Sequence, residues 1–204
     1  MLLDLDAIRN GKIHDYPYRW ILFNNVIRES AKHELVSTPP PEDQFEYDGD
    51  DGYIHGFGRS LDEGTQRVFP LRSAWTQLID ELRSSGYRNA IAELTGLDLS
   101  NQILGMRFYR YNPGHGTYPH HDHPANTLVH MFYFCEKWDS RWGGCFRILK
   151  EENPDSGFLD IPPLFDISVA FVRSDNSWHM VPHIAPDVTQ IRYALKACFY
   201  KPQE

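Results

Sequence analysis

From Pro70 to Gly96 the apolar residues Leu71, Trp75, Leu78, Ile79 and Leu82 recur at three- and four-residue steps. That period predicts one amphipathic helix ending near Gly86, with a shorter second helix over about Tyr87 to Leu94. After Leu99 the period changes to two. ILGMRFYRY, TLVHMFYF, CFRIL, ISVAFV and the terminal RYALKACFY are short β-branched and aromatic runs, separated by NPG, Gly143–Gly144, NPDSG and Pro162–Pro163. Short strands at this spacing predict a barrel or a two-sheet jelly roll. Residues 18–35 begin as an apolar strand and pass into a helical stretch, with Asn24 or Asn25 as the expected N-cap. Ser37 to Gly58 holds Pro39, Pro40 and Pro41 and an acidic, glycine-dotted tract, so an irregular loop is expected there. It is either a flap over a pocket or a surface excursion, and Lys150–Pro163 either caps the pocket or joins two strands.

The pattern therefore predicts a mainly β protein with N-terminal helices propped against one sheet. We expect one domain over 1–204, with helical support and the flap loop in 1–100 and the barrel in 101–204. Composition narrows the partners. The 204 residues are 41% hydrophobic and 14% aromatic, which excludes a disordered chain, and the formal net charge is −8. An acidic balance argues against binding duplex nucleic acid, whose affinity rests on cationic neutralisation. Cys135, Cys145 and Cys198 have no CxxC spacing and read as small buried hydrophobes in a reducing compartment. MLLDLDAIRN lacks the cationic start of a signal peptide and no apolar run is long enough to span a bilayer, so a soluble cytoplasmic protein is expected.

Candidate chemistry sits at YPHHDHP. Alternation along a strand lets His120 and Asp122 reach one ion while His121 points away, and Pro124 ends the pairing. A third ligand must come from elsewhere, and His179 in SWHMV competes with His183; we favour His179, beside Trp178 on an apolar strand. Two imidazoles and one carboxylate on one face of an octahedral ion leave positions for a 2-keto-acid and O2 at a mononuclear Fe(II). A zinc site using His121 or His123 is the competing reading. Arg192 opens the last run, and its planar fork suits the far carboxylate of a 2-keto diacid. Tyr133 or Tyr111 could complete that clamp, or serve as core aromatics.

The chain resembles a known family at these residues. YNPGHGTYPHHD is similar to the metal-binding entry of the 2-oxoglutarate and Fe(II)-dependent dioxygenases of the prolyl-hydroxylase-like group. MFYFCEKWDSRWGGCFRIL resembles their second signature, and RSDNSWHMV with IRYAL their third. The resemblance covers roughly residues 102–200. It implies a double-stranded β-helix of the jelly-roll, cupin-like kind. It also implies Fe(II), 2-oxoglutarate as cosubstrate, O2, and release of succinate and CO2. Carried over, it makes His120, Asp122 and His179 the iron ligands, Arg192 the partner of the cosubstrate's C5 carboxylate and Tyr133 its hydrogen-bond partner. Two departures stand out: the His179–Arg192 interval is a few residues longer than in prolyl hydroxylases, and Cys135 stands where Asn is frequent. Asp122 fills the position that halogenases of the superfamily leave small, so hydroxylation is the implied outcome.

For the substrate, a small metabolite is the leading expectation, with a prolyl or other protein hydroxylase second and a non-oxygenase metal-binding jelly roll or zinc hydrolase third. Arg59, Arg107 and Arg147 are candidate substrate contacts. An anionic metabolite follows if Arg107 or Arg147 turns inward.

Overall fold

The computed structural model describes residues 1–47, 54–61 and 73–202, the side chains of Ile54, His55 and Arg59 excepted. In chain order, α1 (Leu5–Arg9), β1 (Lys12–His14), β2 (Trp20–Asn24) and α2 (Glu29–Ser37) precede the short strands β3 (Glu46–Tyr47), β4 (Ile54–His55) and β5 (Phe57–Ser60). Helices α3 (Ser73–Arg83) and α4 (Ser85–Thr95) follow. The remainder is β6 (Ile103–Tyr111), β7 (Gly116–His120), β8 (Asn126–Tyr133), β9 (Phe146–Leu149), β10 (Gly157–Ile161), β11 (Ile167–Val172), β12 (His179–Val181) and β13 (Arg192–Tyr200). Among the described residues these make two antiparallel sheets. The larger has the order β1-β2-β11-β8-β13-β6-β5-β3 and the smaller β10-β9-β12-β7-β4. No described helix is long and apolar enough to cross a membrane.

The two faces of the large sheet are buried against different partners, and strict alternation sorts the side chains. On β13, Leu195, Ala197 and Phe199 join Trp75, Leu78, Leu82, Tyr87 and Ile91 of α3 and α4 in one core. Ala194 and Cys198 face the small sheet and pack with Tyr109, Tyr133, Phe146, Ile148 and Phe171. Trp75 anchors the first core edge-on against Phe108, with ring centroids 5.0 Å apart. A buried side chain of this size is worth roughly 3–5 kcal/mol on truncation. Helices therefore cover one sheet, as expected, and the inner face is left for chemistry.

Several local expectations are corrected. Neither Asn24 nor Asn25 caps a helix: Asn25 turns the chain at φ 54°, and Arg28 occupies the N-cap of α2 without a side-chain bond. A left-handed Asn is one of the few non-glycine residues that accepts such a turn. α3 stops at Arg83, because the Ser84 hydroxyl accepts the Tyr87 amide and starts α4, placing Gly86 inside the second helix. Gly96, at φ 73°, closes α4. The expected irregular loop contains β3, β4 and the start of β5, which pairs with β6; its centre, 48–53, lies outside the described residues, as do Pro70 and Leu71. Within Lys150–Pro163, β10 pairs with β9, so this segment forms a hairpin. The three cysteines are buried, and none is in a disulfide.

Candidate metal centre and cosubstrate pocket

The centre is assembled by strand register. β7 ends at His120, β12 begins at His179, and the two residues are paired directly across the small sheet. Their rings lie 4.3 Å apart. Asp122 stands two residues beyond β7, and one ligand atom from each of the three side chains falls within 4.8 Å of the others. Both imidazoles are held in the same way. His120 Nδ1 donates to the Tyr118 carbonyl at 2.8 Å, and His179 Nδ1 to the Ser177 carbonyl at 2.9 Å. A carbonyl only accepts, so each Nδ1 carries the proton and each Nε2 keeps its lone pair. His179 is packed between Phe146 and Phe171, at 5.1 and 4.6 Å. Burial lowers the pKa of both histidines, that of His179 to about 3, so both are neutral donors near pH 7.

Asp122 has a cationic neighbour that sequence reading missed. Lys196 Nζ lies 3.2 and 3.3 Å from the two carboxylate oxygens. Burial alone would raise the Asp122 pKa, but Lys196 and the two histidines outweigh it and bring the carboxyl to about 2. Lys196 is in turn held above the ordinary lysine range, because the Asp122 charge overcomes its own desolvation. The signal was available: Lys196 is four residues after Arg192 on an alternating strand, hence on the same face.

Arg192 is fully buried at the other end of the cavity. Its Nε donates to the Gly144 carbonyl at 2.6 Å, and its guanidinium lies 5.0 Å from the ring of Tyr111 and 5.2 Å from that of Tyr133. Among the described residues, Nη1 and Nη2 of Arg192 and the buried hydroxyls of Tyr133 and Tyr18 have no hydrogen-bond partner. A buried guanidinium is costly unless paired, so two unpartnered donors beside a phenol fit a bidentate carboxylate. Tyr18, just before β2, is a further buried phenol that the sequence did not single out, packed edge-on against Phe171 of the cavity wall at 6.3 Å. Burial, with Asp122 and Tyr133 nearby, raises its pKa.

The other sequence candidates separate. Arg107 lines a groove next to the cavity, its guanidinium 5.8 Å from the Tyr109 ring. Arg147 does not turn inward: its neighbours Phe146 and Ile148 take the inner positions of β9, while Arg147 forms a fork with Asp160 at 2.7 and 2.7 Å. Arg59 lies on β5, and its side chain is outside the described residues. His183 is exposed against Tyr118, and the His121 ring packs on Trp178 at 4.6 Å. His123 accepts the Ala125 amide. None of these three histidines belongs to the cluster.

Comparison with known proteins follows the same lines. The family model described as the 2OG-Fe(II) oxygenase superfamily matches residues 106–200. The chain superposes on a prolyl-4-hydroxylase of Pseudomonas putida with a TM-score of 0.66 at 18% identity, over 97% of each chain. It superposes on the prolyl hydroxylase of Trichoplax adhaerens, in complex with a hypoxia inducible factor peptide fragment, with a TM-score of 0.63. Identity there is 17%, over 97% of this chain and 89% of that one. For the viral collagen prolyl hydroxylase of Paramecium Bursaria Chlorella virus-1, in its 2OG complex, the TM-score is 0.58 at 11% identity, covering 90% and 96%. At these identities the likeness concerns the fold. No curated protein matches the chain by sequence.

Proposed function

We propose that this chain, whose residues 106–200 match the family model of the 2OG-Fe(II) oxygenase superfamily, is such an oxygenase: His120, Asp122 and His179 hold its Fe(II), and Arg192 and Tyr133 take the far carboxylate of 2-oxoglutarate. The observation that carries this reading is a single cavity lined by the three metal-competent side chains and by Arg192. When bound, Fe(II) and 2-oxoglutarate supply the activation of O2 that oxidises a substrate C–H, with succinate and CO2 released.

The chain's own residues prepare that chemistry. The Tyr118 and Ser177 carbonyls fix both imidazoles with Nε2 free, so no tautomer change precedes metal binding. Lys196 keeps Asp122 ionised and turned toward the centre. The Gly144 carbonyl anchors Nε of Arg192, leaving the outer fork to bind a carboxylate in one orientation. Phe146 and Phe171 wall the His179 side against water. A carboxylate in the Asp122 position favours hydroxylation over halogenation.

For the substrate, the reading we favour is a small anionic metabolite, supported by two cations, Arg107 and Lys196, on the inward face of the large sheet. A peptidyl-proline substrate is the second reading, supported by the fold shared with prolyl hydroxylases. The test is O2-dependent succinate release by anaerobically Fe(II)-loaded protein, with small metabolites and prolyl peptides compared as stimulators. Asp122→Ala and His179→Ala are each expected to lose at least 100-fold in turnover, since removing one ligand opens the metal site. Wild-type rates in both variants would falsify the ligand assignment.

A further inference from the structure

Of the three ligand candidates, Asp122 lies outside a strand. β7 ends at His120 and β12 begins at His179, whereas Asp122 sits in the 121–125 connection, where Pro124 has no N–H to give. A carboxylate on irregular backbone is only as well placed as that backbone. Lys196 steadies the Asp122 side chain. Its main chain needs a separate hold, and the turn between β11 and β12 provides one.

Arg173 directly follows β11 and reaches both this connection and its exit. Its amide donates to the Thr127 carbonyl at 3.1 Å, near the start of β8. Its Nε donates to the Asp122 carbonyl, also at 3.1 Å. Nη1 pairs with the exposed Asp175 at 2.6 Å. The planar guanidinium thus serves the carbonyl and the carboxylate at once, in one fixed orientation. The Arg173 side chain is only 12% exposed, so water competes little for the bond to Asp122.

The same turn grips a second ligand. The hydroxyl of the fully buried Ser177 accepts the Ser174 amide at 3.1 Å and donates to the Ser174 carbonyl at 2.7 Å. That closes the turn on itself, while the Ser177 carbonyl accepts from His179 Nδ1 at 2.9 Å. Asn176 Nδ2 ties the turn to the Pro17 carbonyl at 3.2 Å. The Trp178 ring packs on that of His121, the residue between His120 and Asp122, with centroids 4.6 Å apart. Residues 173–178 therefore reach the carboxylate and one imidazole through a single internally bonded unit.

We propose that Arg173 is a positioning residue of the metal centre. By holding the Asp122 carbonyl it sets where the carboxylate meets the ion, and it does so from the turn that also orients His179. Arg173 stands behind the cavity wall and acts through Asp122. The inference rests on the ligand assignment above and adds a residue whose loss loosens one ligand without removing it.

Co(II) is the probe, because its visible d–d absorbance reports ligand geometry. Affinity is read by competition with a chelator, in protein that urea unfolding shows to be folded at the assay temperature. Arg173→Gln should bind Co(II) about 10- to 100-fold more weakly than the wild type, with an altered d–d spectrum at saturation. Binding of 2-oxoglutarate to the metal-saturated variant should stay within about three-fold, since Arg192 holds its far carboxylate at the other end of the cavity. A purely structural role would lower stability and leave the affinity and spectrum of folded protein unchanged. Asp175→Asn, which removes only the exposed partner, should bind Co(II) within about three-fold of wild type. If Arg173→Gln does not fold, Arg173→Lys carries the test, with a loss of about three-fold or more from the missing fork. Wild-type affinity and spectrum in the variant read, or an equal loss in Asp175→Asn, would overturn the proposal. Equal Co(II) binding by wild type and Asp122→Ala would overturn the ligand assignment and this proposal together. If Asp122→Ala loses the metal while the folded Arg173 variant keeps it, this proposal alone falls.

Discussion

Arg192 and His130 are both fully buried polar side chains on the large sheet, yet their hydrogen bonding separates them. The His130 ring has both nitrogens matched, Nδ1 to the Tyr87 hydroxyl at 3.0 Å and Nε2 to the Ser168 hydroxyl at 2.9 Å. It ties α4 to the sheet. Arg192 keeps two donors unmatched and faces the cavity. Replacing Arg192 with Met should weaken 2-oxoglutarate binding by at least 30-fold, about 2–5 kcal/mol for truncating a buried charge pair. Fe(II) binding should change little; titration of both ligands checks this. The prediction for His130 concerns stability. Burial holds its pKa at about 3, well below the ordinary 6.5, so the unfolded chain takes up a proton first. Stability is complete above pH 6.5 and declines as pH falls toward 3, by about 1.4 kcal/mol per unit for one proton. His179 adds to this slope in metal-free protein. Urea unfolding between pH 4 and 7 should show a slope flatter by about one proton in His130→Gln.

Elements were legible where a local period determined them. β6, β11 and β13 carry the bounds of their period-two runs, because each has one face against the helices and the other against the small sheet. The start of α2 and the strands within residues 37–58 were not legible. A cap depends on where the chain turns in space, and a two-residue strand depends on an edge offered by another element. The Gly143–Gly144 turn before β9 shows an element serving the site. Gly144 has φ 71°, and a Cβ there would approach Trp138 at 2.5 Å. Its carbonyl also anchors Arg192. Gly144→Ala should therefore destabilise the protein by roughly 1–3 kcal/mol, from the left-handed backbone and the contact together. It should also weaken 2-oxoglutarate more than Fe(II). Calorimetry with separate ligand titrations would show both effects; equal loss of the two ligands would point to general unfolding.

For the whole molecule, the site joins elements far apart in the chain, so ligand binding should report on global stability. Metal and 2-oxoglutarate bound only to the folded state stabilise it by about 2.7 kcal/mol at 100 times Kd. In a chain of this size that corresponds to roughly 5–10 °C in Tm, to be lost on adding a chelator. Differential scanning calorimetry with and without chelator measures it. The primary order by itself determined the alternation of the strands, the helical stripe around Trp75, the family signatures and the candidate ligands, because these lie in neighbouring residues or short motifs. Only the tertiary structure decided that His120 is paired with His179, that Lys196 reaches Asp122, that Arg147 is engaged by Asp160 outside the cavity and that Arg107 faces the groove. Those outcomes follow from which strand lies beside which and in what register, a relation between distant segments that no local pattern encodes.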